Sequence, residues 1–409
     1  MEDKIFKNLN NESKKLVKAI TSNKELISQS KYWGNHVFVN CLAVIKKLIA
    51  EIKSNYPKNL KNKVSITITK FDINKCGNVP CIYKLFLENK EIVRNILIER
   101  NDNILLSEFD KLVKNINLTK FQNFINKIRD LQLLTNITNS ISSNDKDWFL
   151  DLFIPSEIQH EMEQYSNLWL IEGVYKDVKV KIISSKKNNN ELILQMIGRI
   201  ITLKNMMNWS SNISVVLLDS KQKRLYSESN VGRREVNGGY TWRGSGKIHI
   251  FRKEECKKVL LHELIHTFDV DYKHENDMCE SHAELYGLIM NIMFSILEAK
   301  LKLNINLVKS LLSIEYVFSK IQEKKIYNLL VKNKISTLAK GYYIYKSLIL
   351  ENLDKYFEVI GVGNPIFSFP IENNEKFKVL IKNFTRYYEN NFKIPSKLKN
   401  TLRMTCIEI

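Results

Sequence analysis

The sequence predicts an α+β fold, on three observations. Apolar residues recur at helical spacing through residues 12–160 and again beyond 300; short alternating β-branched runs crowd into residues 168–250; and a nearly uncharged helical run follows them directly. At 409 residues the chain exceeds the usual single-domain length. Its texture divides it into a mainly helical N-terminal domain (1–160), a mixed central domain (161–300) and a C-terminal helical subdomain (301–409). Hydrophobic content of 44% and charged content of 26% are those of a globular chain, which excludes extended disorder.

In chain order, Leu16, Val17 and Ile20, then Val37 to Ile49, read as two helices joined near "SKYWGN". "KVSITITKF" alternates as a strand, and helical spacing resumes through "EIVRNILIER" and "FDKLVKNINL". From Leu168, "LWLIEGVYKDVKVKIIS" has the break and β-branching of a hairpin. An amphipathic helix, "ELILQMIGRIITLKNMMN", leads to the strand "ISVVLLD". "EVNGGYTW" then places Gly238 and Gly239 where a turn or a closely approached backbone needs them, before the strand "GKIHIFR". The longest apolar run, "LYGLIMNIMFSIL", is too short to span a bilayer and reads as a buried helix, so no membrane insertion is expected. Beyond residue 300 three helical stretches follow, interrupted by the loop "GVGNPIFSFP".

A net charge of +19 would draw the chain to nucleic acid or an anionic surface, salt-dependently. The lysines are spread along the chain beside asparagines, as AT-rich coding in a large DNA virus or a protist would spread them, and no basic-aromatic motif accompanies them. Solvated faces are therefore the stronger reading. Cys41, Cys76, Cys81, Cys256, Cys279 and Cys406 form no metal-finger spacing and read as free, mostly buried thiols. The first residues, "MEDKIFKNLNNESKK", lack an apolar stretch, which predicts a reducing compartment, cytoplasm, or the particle of a virus.

The chemistry concentrates in "KKVLLHELIHTFDV". Two of only seven histidines, His262 and His266, stand four apart, about 40° in azimuth on a helix, so both rings can reach one metal ion. Glu263 is turned by about 100° from His262, beside such an ion, where its carboxylate can take a proton from a metal-held water. Val259, Leu260, Leu264, Ile265, Thr267 and Phe268 are all uncharged, so this helix is fit for burial. The pattern resembles the extended His-Glu-x-x-His motif of zinc metallopeptidases.

A third ligand is required. The metzincin arrangement needs Gly at 269 and His at 272, where this chain has Asp269 and Tyr272. Residues 280–287 instead resemble the Glu-x-x-Ala-Asp/Asn-x-x-Ala helix of the gluzincin group that includes thermolysin. Glu280 stands at the ligand position, Ala283 at the small residue and Glu284, in place of Asp or Asn, at the acidic residue one turn on. Glu280 and Glu284 share a helical face, so either can reach the metal while the other orients a ligand histidine; Glu280 is preferred. The resemblance covers roughly residues 190–300.

It implies a zincin-like core, a small twisted sheet with an active-site helix and a glutamate helix, flanked by helical regions and holding one Zn²⁺ per chain. It also implies a protein or peptide substrate laid along an edge strand, for which residues 236–242 are the candidate, with Gly238 and Gly239 leaving room for the peptide. Asp269, Asp271 and Asp277 read as caps, loop residues or partners of ligands, and His249, His274 and His282 as packing or solvent-facing residues. Tyr342 and Tyr343 are candidate oxyanion donors that also fit an ordinary aromatic core stripe. Two other readings remain open: a zinc-stabilised interaction protein, which would bind metal without hydrolysis, and a basic nucleic-acid-associated protein, which would keep sequence preference at high salt.

Overall fold

The computed structural model describes residues 2–39, 41–71, 86–115, 117–130, 154–228, 231, 233–271, 276–331, 339–360, 374–384 and 394–409, with Leu133 and Ile137. Two compact units emerge: Met1–Ile68, Ile171–Ile183 and Lys187–Ile409 form one, and Thr69–Leu170 with Ser184–Lys186 the other. The architecture is α+β.

One six-stranded sheet has the order β1-β2-β3-β4-β6-β5, with β1 Ser65–Phe71, β2 Leu168–Tyr175, β3 Val178–Ser184, β4 Ile213–Leu218, β5 Gly239–Thr241 and β6 Lys247–Ile250. Lys176, in the left-handed conformation (φ 53°), turns β2 into β3. β3, β4 and β6 run parallel, and β5 lies antiparallel to β6 at the end of the sheet, its other side unpaired by any described strand. Val180, Val215 and Ile248 are fully buried along the parallel strands, as strands covered on their faces require.

The first unit carries helices α1 Glu2–Asn8, α2 Asn11–Thr21, α3 Lys24–His36 and α4 Leu42–Asn55. The second holds α5 Lys90–Glu99, α6 Asn103–Lys114 and α7 Leu118–Asp130, which close on Phe86, Phe109, Phe121 and Phe124, and also α8 Ser156–Glu163. Back in the first unit come α9 Asn190–Met207, α10 Cys256–Thr267, α11 Asn276–Glu298 and α12 Ile305–Leu330. A six-residue π-helical segment, Lys340–Tyr345, runs into α13 Lys346–Glu351, followed by α14 Leu353–Ile360 and α15 Asn374–Phe384.

The sequence reading errs in two places. "SKYWGN" lies inside α3 rather than between helices, because a side chain at Gly34 would come within 2.7 Å of Ser313 Oγ; the glycine marks a helix contact, not a break. The breaks lie on either side of α3: at Asn23, whose side chain caps α3 by accepting from Glu25 N and Leu26 N, and between His36 and Leu42, just past that stretch. Nor does the chain divide at 160 and 300. Buried Trp33 donates to Leu350 O (2.6 Å) and stacks on Tyr316, so the N-terminal helices share the core of the C-terminal ones.

The last residues are likewise core rather than helix. Glu255, just before α10, accepts from Met404 N (2.8 Å) and Thr405 N (2.6 Å), and Glu315 on α12 accepts from Cys406 N and Ile407 N (both 2.9 Å). These buried carboxylates satisfy a segment that has no strand to pair with. Every residue of α10 is buried, and "LYGLIMNIMFSIL" lies within buried α11, as expected. Among the described residues no helix is long and apolar enough to cross a membrane.

Candidate metal centre

Helices α10 and α11 pair Lys258 with Glu284, His262 with Glu284 and Glu280, and His266 with Glu280, an order that makes them antiparallel. Gly287 permits the approach: a side chain there would stand 3.3 Å from His262 N. The two imidazoles meet edge to face, with ring centres 4.7 Å apart.

Three ligand atoms converge. His262 Nε2 lies 3.0 Å from His266 Nε2, and Glu280 Oε2 lies 3.0 Å from the first and 3.4 Å from the second. A tetrahedral ion with bonds near 2.0–2.1 Å would hold its ligand atoms about 3.3 Å apart. The observed triangle is of that size. On the far side of each ring stands another carboxylate: Glu284 Oε1 is 3.0 Å from His262 Nδ1, and Asp271 Oδ2 is hydrogen-bonded to His266 Nδ1. A carboxylate behind Nδ1 favours the tautomer with the proton on that nitrogen, so a neutral ring would offer its Nε2 lone pair to an ion held between the two rings and Glu280. Glu280 Oε2 is buried and has no hydrogen-bond donor among the described residues. Three converging electron pairs call for a cation, and this donor set fits one.

The charges agree. Burial works against ionised Glu280, yet the two imidazoles, His266 foremost, hold it well below the usual carboxylate range. Burial likewise opposes charge on the imidazoles, yet Glu280 and Glu284 raise His262, and Glu280 with Asp271 raises His266. Glu263 differs: burial pushes its carboxyl up to about 7, with only partial relief from the two imidazoles. Its carboxyl faces the edge strand, since a side chain at Gly239 would come within 3.4 Å of Glu263 Oε1.

Of the two acidic residues on α11, Glu280 faces both Nε2 atoms, whereas Glu284 faces Nδ1 of His262 and pairs with buried Lys258 and Lys346. Gly238 and Gly239 flank the site, and each leaves room for protein neighbours. A side chain at Gly238 would strike the Arg224 guanidinium (2.0 Å), and one at Gly239 would meet His249 O (2.6 Å) and Val259 (2.9 Å). The glycines let β5 lie against α10.

Tyr342 reaches the cluster from the π-helical segment. Its ring centre is 5.8 Å from that of His262, and Glu280 lies near enough to act on its hydroxyl. Gly341 makes this possible, because a side chain there would come within 2.3 Å of Asp277 O and 2.9 Å of Glu280 Cβ. Tyr343 points elsewhere and donates to Leu402 O (2.6 Å). His282 is fully buried against the Tyr356 hydroxyl (2.6 Å) rather than solvated, and half-buried His249 stacks on Tyr240. Asp269 is exposed near Arg243, and Asp277 opens α11. Cys41, Cys256, Cys279 and Cys406 are free and buried, while Tyr272, His274, Cys76 and Cys81 lie outside the described residues.

A second group, His266, Asp271 and Cys279, has metal-ligating atoms close together, but Arg243 already sets its guanidinium on Asp271 (3.1 Å) and Cys279 (3.0 Å). The sequence reading did not single out Arg243, Gly341, Lys258 or Lys346. Only Gly341, an isolated glycine in a helical pattern, carried a legible signal.

No protein-family model and no solved structure matches this chain. It is similar to an uncharacterized protein of Acanthamoeba polyphaga mimivirus, 27% identical over 201 residues, covering 44% of this chain and 48% of that relative. The match thus spans about half of the relative's length.

Proposed function

We propose that this chain is a gluzincin-type zinc metallopeptidase that hydrolyses peptide bonds. The convergence of His262 Nε2, His266 Nε2 and Glu280 Oε2 within 3.0–3.4 Å, beside the buried carboxyl of Glu263, carries this reading. Two nitrogens and one carboxylate oxygen suit Zn²⁺ and leave room for a fourth ligand. Bound there, zinc supplies Lewis-acid polarisation of the scissile carbonyl and lowers the pKa of water towards about 7.

The chain's own groups supply the rest. Glu263, with a carboxyl near neutrality, accepts a proton from the attacking water and passes it to the leaving amine. Phe251 N donates to Gly238 O, so by the alternation of an antiparallel pair Gly239 and Thr241 turn their backbone groups to the open edge. An extended substrate pairs there, alongside Glu263. Tyr342, beside the ligand carboxylate, turns its single O–H to the developing oxyanion. Tyr342→Phe is therefore expected to lower kcat about 10²–10³-fold with zinc content unchanged, measured on one peptide substrate. An unchanged kcat removes Tyr342 from the reaction.

The reading itself is tested by metal analysis of the purified protein and of His262→Ala, followed by digestion of a peptide library. One zinc per chain, lost in the variant, together with discrete cleavage products is the expected result. Zinc without cleavage would make the protein a zinc-stabilised interaction module, and the absence of zinc from the wild type would end the case.

A further inference from the structure

We propose that Arg243 is a positioning residue for the metal centre: its guanidinium fixes Asp271, and through Asp271 the ring of His266, so that the edge hairpin of the sheet braces a metal ligand. The inference rests on the zinc reading above and adds to it a residue that touches neither metal nor substrate.

Arg243 stands in the turn between β5 and β6, where Ser245 N donates to Trp242 O (3.0 Å) and Gly244 takes φ 70°. This turn is fastened to the end of α10. Gly244 N donates to Thr267 O (3.0 Å), and the hydroxyls of Thr241 and Thr267 lie 3.1 Å apart. From that anchored base, Arg243 Nη2 reaches Asp271 Oδ2 (3.1 Å) and Cys279 Sγ (3.0 Å), while Nη1 faces Asp269 Oδ1 at 3.7 Å.

Asp271 Oδ2 thus gathers the His266 ring, the guanidinium and the Cys279 thiol, which donates at 2.9 Å; Asp271 Oδ1 is buried with no partner among the described residues. All of the restraint on this carboxylate acts through one oxygen. Its side chain is fully buried, whereas that of Arg243 is 39% exposed, so the arginine supplies the charge that keeps a buried anion in place from a position at the surface. A lysine ends in a rotating ammonium on a shorter stem, whereas the planar fork sets Nη2 on Asp271 and Cys279 and Nη1 towards Asp269 at fixed angles. Without that fork, Asp271 keeps only the thiol and the ring as partners, and the contact that sets the orientation of His266 is weakened.

The test compares wild type, Arg243→Ala and Arg243→Lys as full chains. Zinc affinity, read by competition with a chromophoric chelator, is expected to fall roughly 10- to 100-fold in both variants. The visible spectrum of the Co²⁺-loaded protein is expected to shift. In metal-free protein labelled with ¹⁵N-histidine, the ring resonances of His266 should move while those of His262 stay. A merely structural role would lower the unfolding midpoint without moving the His266 resonances, and that result overturns the proposal, as does unchanged zinc affinity in Arg243→Ala. If Arg243→Ala does not fold, the His266 resonances of Arg243→Lys decide the matter. Should the wild type itself take up no zinc, the zinc reading falls, and the metal-free ring resonances alone still decide whether Arg243 positions His266.

Discussion

Glu263→Gln is expected to keep one zinc per chain and to lower peptide hydrolysis about 10²–10⁴-fold, the usual share of a positioned general base. The substitution is close to isosteric and the site is buried, so the amide keeps the contacts of the carboxyl against β5 while losing the capacity to accept a proton. Glu263 is also the carboxyl of the cluster that burial pushes up to about 7, whereas Glu280 and Glu284 are both held below the usual range by neighbouring cations or imidazoles. Environments that drive neighbouring carboxyls apart in this way separate a proton carrier from ligands and their supports. Zinc content and kcat measured on the same preparation check the prediction. Turnover at the wild-type rate removes Glu263 from the reaction, and loss of zinc along with turnover shows that it holds the site together instead.

What the sequence disclosed about this site, and what it hid, follows from the range of the forces involved. His262, Glu263 and His266 are legible because a helix fixes their relation within one turn, and the uncharged flanks announce burial. Glu280 was legible only through its resemblance to a known helix, since the pairing of α10 with α11 depends on Gly287 at His262. Lys257 and Lys258 read as a polar flank, yet both are buried, one against Glu298 and the other against Glu284. Charge alone says "outside"; only the partners, 41 and 26 residues away, reverse that. The same distance hid Arg243, which lies 28 residues from Asp271. Gly34 misled for the converse reason: glycine signals both a break and a close contact, and only the neighbouring helix decides which.

The second large effect separates the two glutamates of α11. Glu284→Gln is expected to cost about 3–5 kcal/mol of unfolding free energy, because removing one member of a buried ionic group strands the others. Here two ammonium groups would be stranded. Lys258 and Lys346 are each 1% exposed; besides Glu284, Lys258 meets the thioether of Met404 (3.6 Å), and Lys346 meets the Met404 carbonyl (2.9 Å) and the Tyr343 ring (5.9 Å to its centre). Zinc affinity should fall as well, about 10- to 100-fold, since His262 loses the carboxylate behind its ring. Glu280→Gln should behave in the opposite way. Its side chain is 18% exposed and faces two imidazoles with no lysine or arginine among its contacts; imidazoles left without it shed their protons far more readily than lysines do, so the metal-free protein should lose less stability than with Glu284→Gln. Zinc affinity should fall more than about 100-fold, beyond the effect of losing a supporting residue. Denaturant unfolding in excess chelator, set beside zinc titration of both variants, reads the two quantities independently. The reverse pattern, with Glu284 governing metal and Glu280 governing stability, would exchange their roles and overturn the assignment of Glu280 as ligand.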